Sequence, residues 1–102
     1  MTWRLFIDDE RDPVKDDWVI ARSSQQAIDA CLSAKCLPDE ISFDHDLGGD
    51  DTSMVFLNWL ITAVLDSTFK IPEEFIYSVH SQNPVGRLNI MKLMDNILFH
   101  IA

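Results

Sequence analysis

Four short apolar runs, three of them stopped by acids or histidines, most constrain what this chain can fold into. Trp3-Arg4-Leu5-Phe6-Ile7 ends at Asp8-Asp9, Ile41-Ser42-Phe43 runs into Asp44-His45-Asp46, and Phe75-Ile76-Tyr77-Ser78-Val79 ends at His80-Ser81. Trp18-Val19-Ile20-Ala21 is the fourth run. Such runs read as buried strands. Between them lie segments with helical spacing. Ser23 or Ser24 caps a helix striped by Ala27, Ile28, Cys31 and Leu32 that ends near Pro38. Asp50, Asp51 or Thr52 caps a second, apolar nearly all round and therefore expected to be largely covered. Asn83-Pro84 opens the last, with the stripe Ile90, Met91, Met94, Ile97, Leu98 and Ile101. This alternation predicts a parallel sheet with helices on its faces. One connection resists: only nine residues, Glu10 to Trp18, lead into the second strand, and a parallel crossover normally needs a dozen or more. Either the crossover is trimmed to about one turn, from Pro13, or the second strand is poorly formed.

A length of 102 residues, 47% of them hydrophobic, predicts one domain, residues 1–102, with an ordinary core. The longest apolar stretch, residues 53–65, falls well short of the ~20 residues of a membrane span. Cys31 and Cys36 do not have the spacing of a metal or redox pair, and the N-terminus has no signal-peptide pattern, so reduced thiols and a cytoplasmic protein are expected. The net charge of -9 argues against duplex nucleic acid and anionic membranes as partners.

That charge is concentrated. Residues 8–17 hold six acids against Arg11 and Lys15, residues 39–51 hold six acids and no Lys or Arg, and the rest of the chain sums to +1. In an open α/β sheet, ligands bind beyond the carboxyl ends of the strands. A parallel sheet would bring both acidic stretches, with His80, to one edge. Converging carboxylates repel unless a cation or shared protons compensate. Hard oxygen ligands suit Mg²⁺ or Ca²⁺, of which Mg²⁺ is expected, with Mn²⁺ as its substitute, and this makes Asp8, Asp9 and either Asp44 or Asp46 candidate ligands. His45 and His80 are candidate general acid and base. Ser81, Asn83, Gly86 and Arg87 offer a helix N-terminus, close backbone approach and a guanidinium fork for a phosphate.

The strings Leu5-Phe6-Ile7-Asp8-Asp9-Glu10-Arg11-Asp12-Pro13, Ala21-Arg22-Ser23, Phe43-Asp44-His45-Asp46-Leu47-Gly48 and His80-Ser81-Gln82-Asn83-Pro84-Val85-Gly86-Arg87 resemble the motifs of the cyclic-phosphate processing receiver-like domains, small relatives of response-regulator receiver domains. The resemblance implies a receiver-like, flavodoxin-like α/β fold: three-layer α/β/α with a four-stranded, mostly parallel sheet, lacking the fifth strand and most of the first helix. By match, Asp8 and Asp9 fall on the acidic pair after the first strand and Asp44 on the aspartate ending the third. The function it implies is processing of a cyclic phosphate on a nucleotide, an ADP-ribose derivative or an RNA end.

Two functional expectations follow. One is metal-dependent hydrolysis, with Asp8, Asp9 and Asp44 holding the cation and His45, His80, Asp44 and Asp46 as catalytic candidates. The other is a non-catalytic module that binds a phosphorylated small molecule or a protein partner.

Overall fold

The computed structural model describes residues 2–101; the side chain of Ile101, last in the expected stripe, lies outside what is described. The chain runs β1 (Arg4–Ile7), β2 (Val19–Ala21), α1 (Ser24–Ala34), β3 (Glu40–Phe43), α2 (Ser53–Leu65), β4 (Ile76–Val79) and α3 (Pro84–Ile101). The strands form one sheet in the order β2-β1-β3-β4, and every neighbouring pair is parallel.

Local chemistry sets the helix ends. Ser23, in extended backbone, accepts the Gln26 amide to open α1, and Lys35 closes it in the left-handed region at φ 60°, ahead of the expected stop near Pro38. Thr52 caps α2 through the Met54 amide. Asp51 instead accepts the backbone amide and hydroxyl of Ser24, tying the start of α2 to the start of α1.

Strand alternation then sorts the side chains. Leu5, Ile7, Ile41 and Phe43 face the core, where they meet Ala27 and Cys31 of α1, Phe56, Leu57 and Leu60 of α2, and Ile90, Met94 and Ile97 of α3. All three helices therefore cover one face of the sheet. Val55 and Leu65 remain exposed, so the covering of α2 is partial. Of the α/β/α layering that the resemblance implies, one outer layer is present as helices. The other is reduced, among the described residues, to the connection 8–18, which carries no helix and sets Trp18 edge-on to Phe6 with ring centroids 5.9 Å apart.

Hydrogen bonding explains why so short a crossover works. The Asp8 carboxylate accepts the Glu10 and Arg11 amides and curls the chain back. Arg22, just past β2, donates to the carbonyls of Asp8 and Arg11 and pairs with Asp12. Side chains thus supply the satisfaction that a helix would give these backbone groups, and β2 forms despite the short connection. From β1 the chain runs outward to β2, whereas β3 and β4 lie on its other side. The carboxyl ends of β1 and β3 are therefore the point where the strand order reverses.

Candidate functional site

Asp8 follows β1 directly and Asp44 follows β3; both are buried. A buried carboxylate is costly unless its oxygens are fully bonded. For Asp8 they are: Oδ1 accepts the Glu10 amide at 2.9 Å and the Arg11 amide at 2.8 Å, while Oδ2 accepts Arg11 Nε at 2.9 Å and His80 Nε2 at 3.0 Å. Burial opposes ionisation of Asp8, but the two amides, His80 and the Arg11 charge together outweigh it and hold its carboxyl below the ordinary range. Asp8 is an anion at neutral pH. The backbone of Asp44 is held by its amide on the Ile7 carbonyl and by the Ser53 hydroxyl on its own carbonyl.

His80 follows β4 and is held on three sides. Its ring stacks on Phe6, with centroids 4.6 Å apart and 7° between planes. Nδ1 lies 2.7 Å from Ser42 Oγ, which also accepts the Ser78 hydroxyl at 3.3 Å, and Nε2 points at Asp8. Because the Asp8 carboxylate accepts, Nε2 carries the hydrogen and Nδ1 of the neutral ring accepts from Ser42. If Nδ1 is protonated as well, the Ser42 oxygen can accept in its turn. The network accommodates the ring in either charge state.

Arg11 supplies the local positive charge. Its guanidinium spans both aspartates, with Nε on Asp8 and Nη2 3.4 Å from Asp44 Oδ2. Beyond it opens a crevice of about 510 Å³, lined by Asp8, Asp9, Glu10, Asp44 and Asp46, by Arg11, and by Gly48, Ser81, Gln82 and Asn83. Five acids face one guanidinium, an excess of negative charge that favours a bound cation.

The expected phosphate-binding residues divide by what they do. Ser81 Oγ accepts the Asn83 amide, Asn83 Oδ1 accepts the Gly86 amide at the start of α3, and Asn83 Nδ2 donates to Asp46 Oδ2 at 3.1 Å. Asp46 is also bonded to His45 Nδ1 at 3.1 Å. The bonds from Asn83 and His45 hold the Asp46 carboxyl below its usual range. A Cβ built on Gly86 would stand 2.3 Å from His45 Cγ, so the glycine makes room for the His45 ring. His45 with Asp46, and Asn83 with Gly86, are therefore two sides of one seam between the β3 end and the start of α3. Ser81, Asn83 and Asp46 line the crevice; Arg87 is exposed on the first turn of α3, and Arg87, His45 and His80 are not among the lining residues, His80 lying behind Asp8.

Asp8, Asp44 and His80 each offer one ligand atom, all within 4.8 Å of one another. The two carboxylates suit a divalent cation such as Mg²⁺ or Mn²⁺, and His80, its Nε2 hydrogen on Asp8, borders that position. Asp9 lines the same crevice beside Gly48 but is not in that group. Sequence reasoning took Arg11, Phe6 and Gln82 as members of the motif strings only and gave no place in the site to Ser42. Arg11 had a signal: it is one of two bases in an acidic stretch, three residues from Asp8.

The family model described as the cyclic-phosphate processing receiver domain matches residues 3–96. No curated protein and no solved structure matches the chain.

Proposed function

Since the chain belongs to the cyclic-phosphate processing receiver domain family, we propose that it hydrolyses a cyclic phosphate on a nucleotide, an ADP-ribose derivative or an RNA end. The observation that carries this reading is His80: stacked on Phe6, bonded at both nitrogens, and directed by Nε2 towards the carboxylates at the crevice floor. A group that moves protons needs a fixed position and partners for both of its charge states, and the Ser42–His80–Asp8 chain supplies them.

Asp8 and Asp44 would hold a divalent cation, Mg²⁺ or Mn²⁺, which when bound neutralises the phosphoryl oxygens. In its other neutral tautomer, with the hydrogen on Nδ1 donated to Ser42 Oγ, the His80 ring has Nε2 free to take one proton from the attacking water as the water oxygen bonds to phosphorus. The ring P–O bond breaks, and His80 returns that proton to the departing sugar oxygen. The second water proton stays on the product monoester or leaves to solvent. Ser42 holds the imidazole in plane throughout, and the His45–Gly86 seam fixes the crevice wall from which Ser81 and Asn83 face the substrate. The free thiols Cys31 and Cys36 support a cytoplasmic setting.

A second reading, a non-catalytic module for a phosphorylated ligand or a protein partner, draws on the open sheet face, where Ile20 and Ile76 are exposed. One assay separates the two. Wild type and Asp44→Asn are incubated with Mg²⁺ or Mn²⁺ and a panel of cyclic nucleotides, RNA ends and ADP-ribose cyclic phosphate, and the products are read by phosphorus NMR. Ring opening by wild type, lost in the variant, is expected; binding of a panel member with no turnover would favour the module.

A further inference from the structure

We propose that Arg11 is the resident counter-cation of the Asp8–Asp44 pair, and that a divalent cation entering the site displaces its guanidinium into the crevice, where it grips the substrate phosphate. The inference rests on the cation site of the proposed function and deepens it.

Its ground is one overlap. Arg11 Nε is 2.9 Å from Asp8 Oδ2 and Nη2 is 3.4 Å from Asp44 Oδ2, and these two carboxylates also belong to the group able to converge on a metal ion. A guanidinium and a divalent cation drawn to the same two carboxylates compete, because like charges at contact distance repel. Of the two, Arg11 is free to leave. Its side chain is 47% exposed. Its backbone amide bonds separately to Asp8 Oδ1 at 2.8 Å, so the loop keeps its turn when the side chain swings away.

The destination follows from the surroundings. Arg11 is the sole Lys or Arg among the residues lining the crevice. Arg22 is committed to the Asp8 and Arg11 carbonyls and to Asp12, and Arg87 is not in the lining. A released guanidinium presents a planar fork of donors that matches two phosphate oxygens. One side chain thus keeps the two buried acids compatible before the cation arrives and recognises the anion afterwards.

Titration calorimetry with Mn²⁺ alone, on wild type, Arg11→Gln and the charge-matched control Arg87→Gln, tests the displacement. Removing the competitor should tighten Mn²⁺ binding about tenfold or more, whereas Arg87→Gln, acting only through the screened field, should change it less than about threefold. With each protein then saturated in Mn²⁺, inorganic phosphate should bind Arg11→Gln about tenfold more weakly than wild type. If both proteins bind Mn²⁺ equally well, or Arg11→Gln binds it more weakly, the displacement is wrong while the cation site stands. If neither binds Mn²⁺, the cation site fails and the displacement with it. Equal phosphate affinity in the Mn²⁺-loaded proteins overturns the phosphate grip.

Discussion

Gly86→Ala offers a prediction whose sign depends on a single contact. Gly86 lies in the first turn of α3, where its φ is not in the left-handed region, so helix propensity alone predicts that alanine stabilises by about 1 kcal/mol. The structure predicts the reverse. The new Cβ would stand 2.3 Å from His45 Cγ, 2.6 Å from Cδ2 and 2.7 Å from Nδ1, and ordinary contact begins near 3.4 Å. The ring must retreat by about an ångström, and its side chain is only 13% exposed and bonded to Asp46. Overpacking of this kind costs about 1–3 kcal/mol. Net of the propensity gain the loss is up to about 2 kcal/mol, so at about 4–8 °C per kcal/mol for a domain of this size the melting temperature should fall by up to about 16 °C, read by circular dichroism. His45→Ala should relieve the clash, so the double variant should show a favourable coupling of about 1 kcal/mol or more. A melting temperature for Gly86→Ala above wild type, or additivity within about 0.5 kcal/mol, would refute the account of the seam.

Three further outcomes follow from the same geometry. Arg22→Ala removes the bonds that shape the crossover; because the guanidinium is partly exposed, the loss should be about 1–3 kcal/mol in denaturant melts, and proteolysis should begin within residues 8–18. The folded-state pKa of Asp8 is depressed, so its stabilisation is present above the unfolded value near 3.8 and is lost as pH falls through the folded one; acid titration of Asp8→Asn should lose that part of the dependence. Burial pushes the Cys31 thiol up to about 12, so a thiol reagent at pH 8 should modify Cys36 in the native protein and Cys31 only after unfolding.

Much of the scaffold is legible because it rests on local rules. Apolar runs ending in charge mark β1, β3 and β4, and Ser23, Thr52 and Asn83 carry the helix starts. Parallel pairing then delivers Asp8, Asp44 and His80 to one edge, as alternation of strands and helices predicts. What the sequence conceals is set by chain path and side-chain reach. The Asp8 carboxylate and Arg22 replace a crossover helix with hydrogen bonds spanning up to 14 positions. Arg11 turns inward over two aspartates, although its position in an acidic loop also suits a solvated base. Gly86 reads equally well as a phosphate-approach glycine until the His45 ring is found against it. His45 and His80 have similar strand-end positions, yet one is a packing and seam residue and the other is bonded at both nitrogens beside the carboxylates.

That asymmetry gives the most direct test. Turnover of the cyclic phosphate that wild type opens is measured for His80→Ala and His45→Ala, each first shown to be folded. The account predicts that His80→Ala lowers kcat by about 10²–10⁴, the range of a lost general acid–base, whereas His45→Ala stays within about tenfold of wild type. Wild-type turnover in His80→Ala would contradict it.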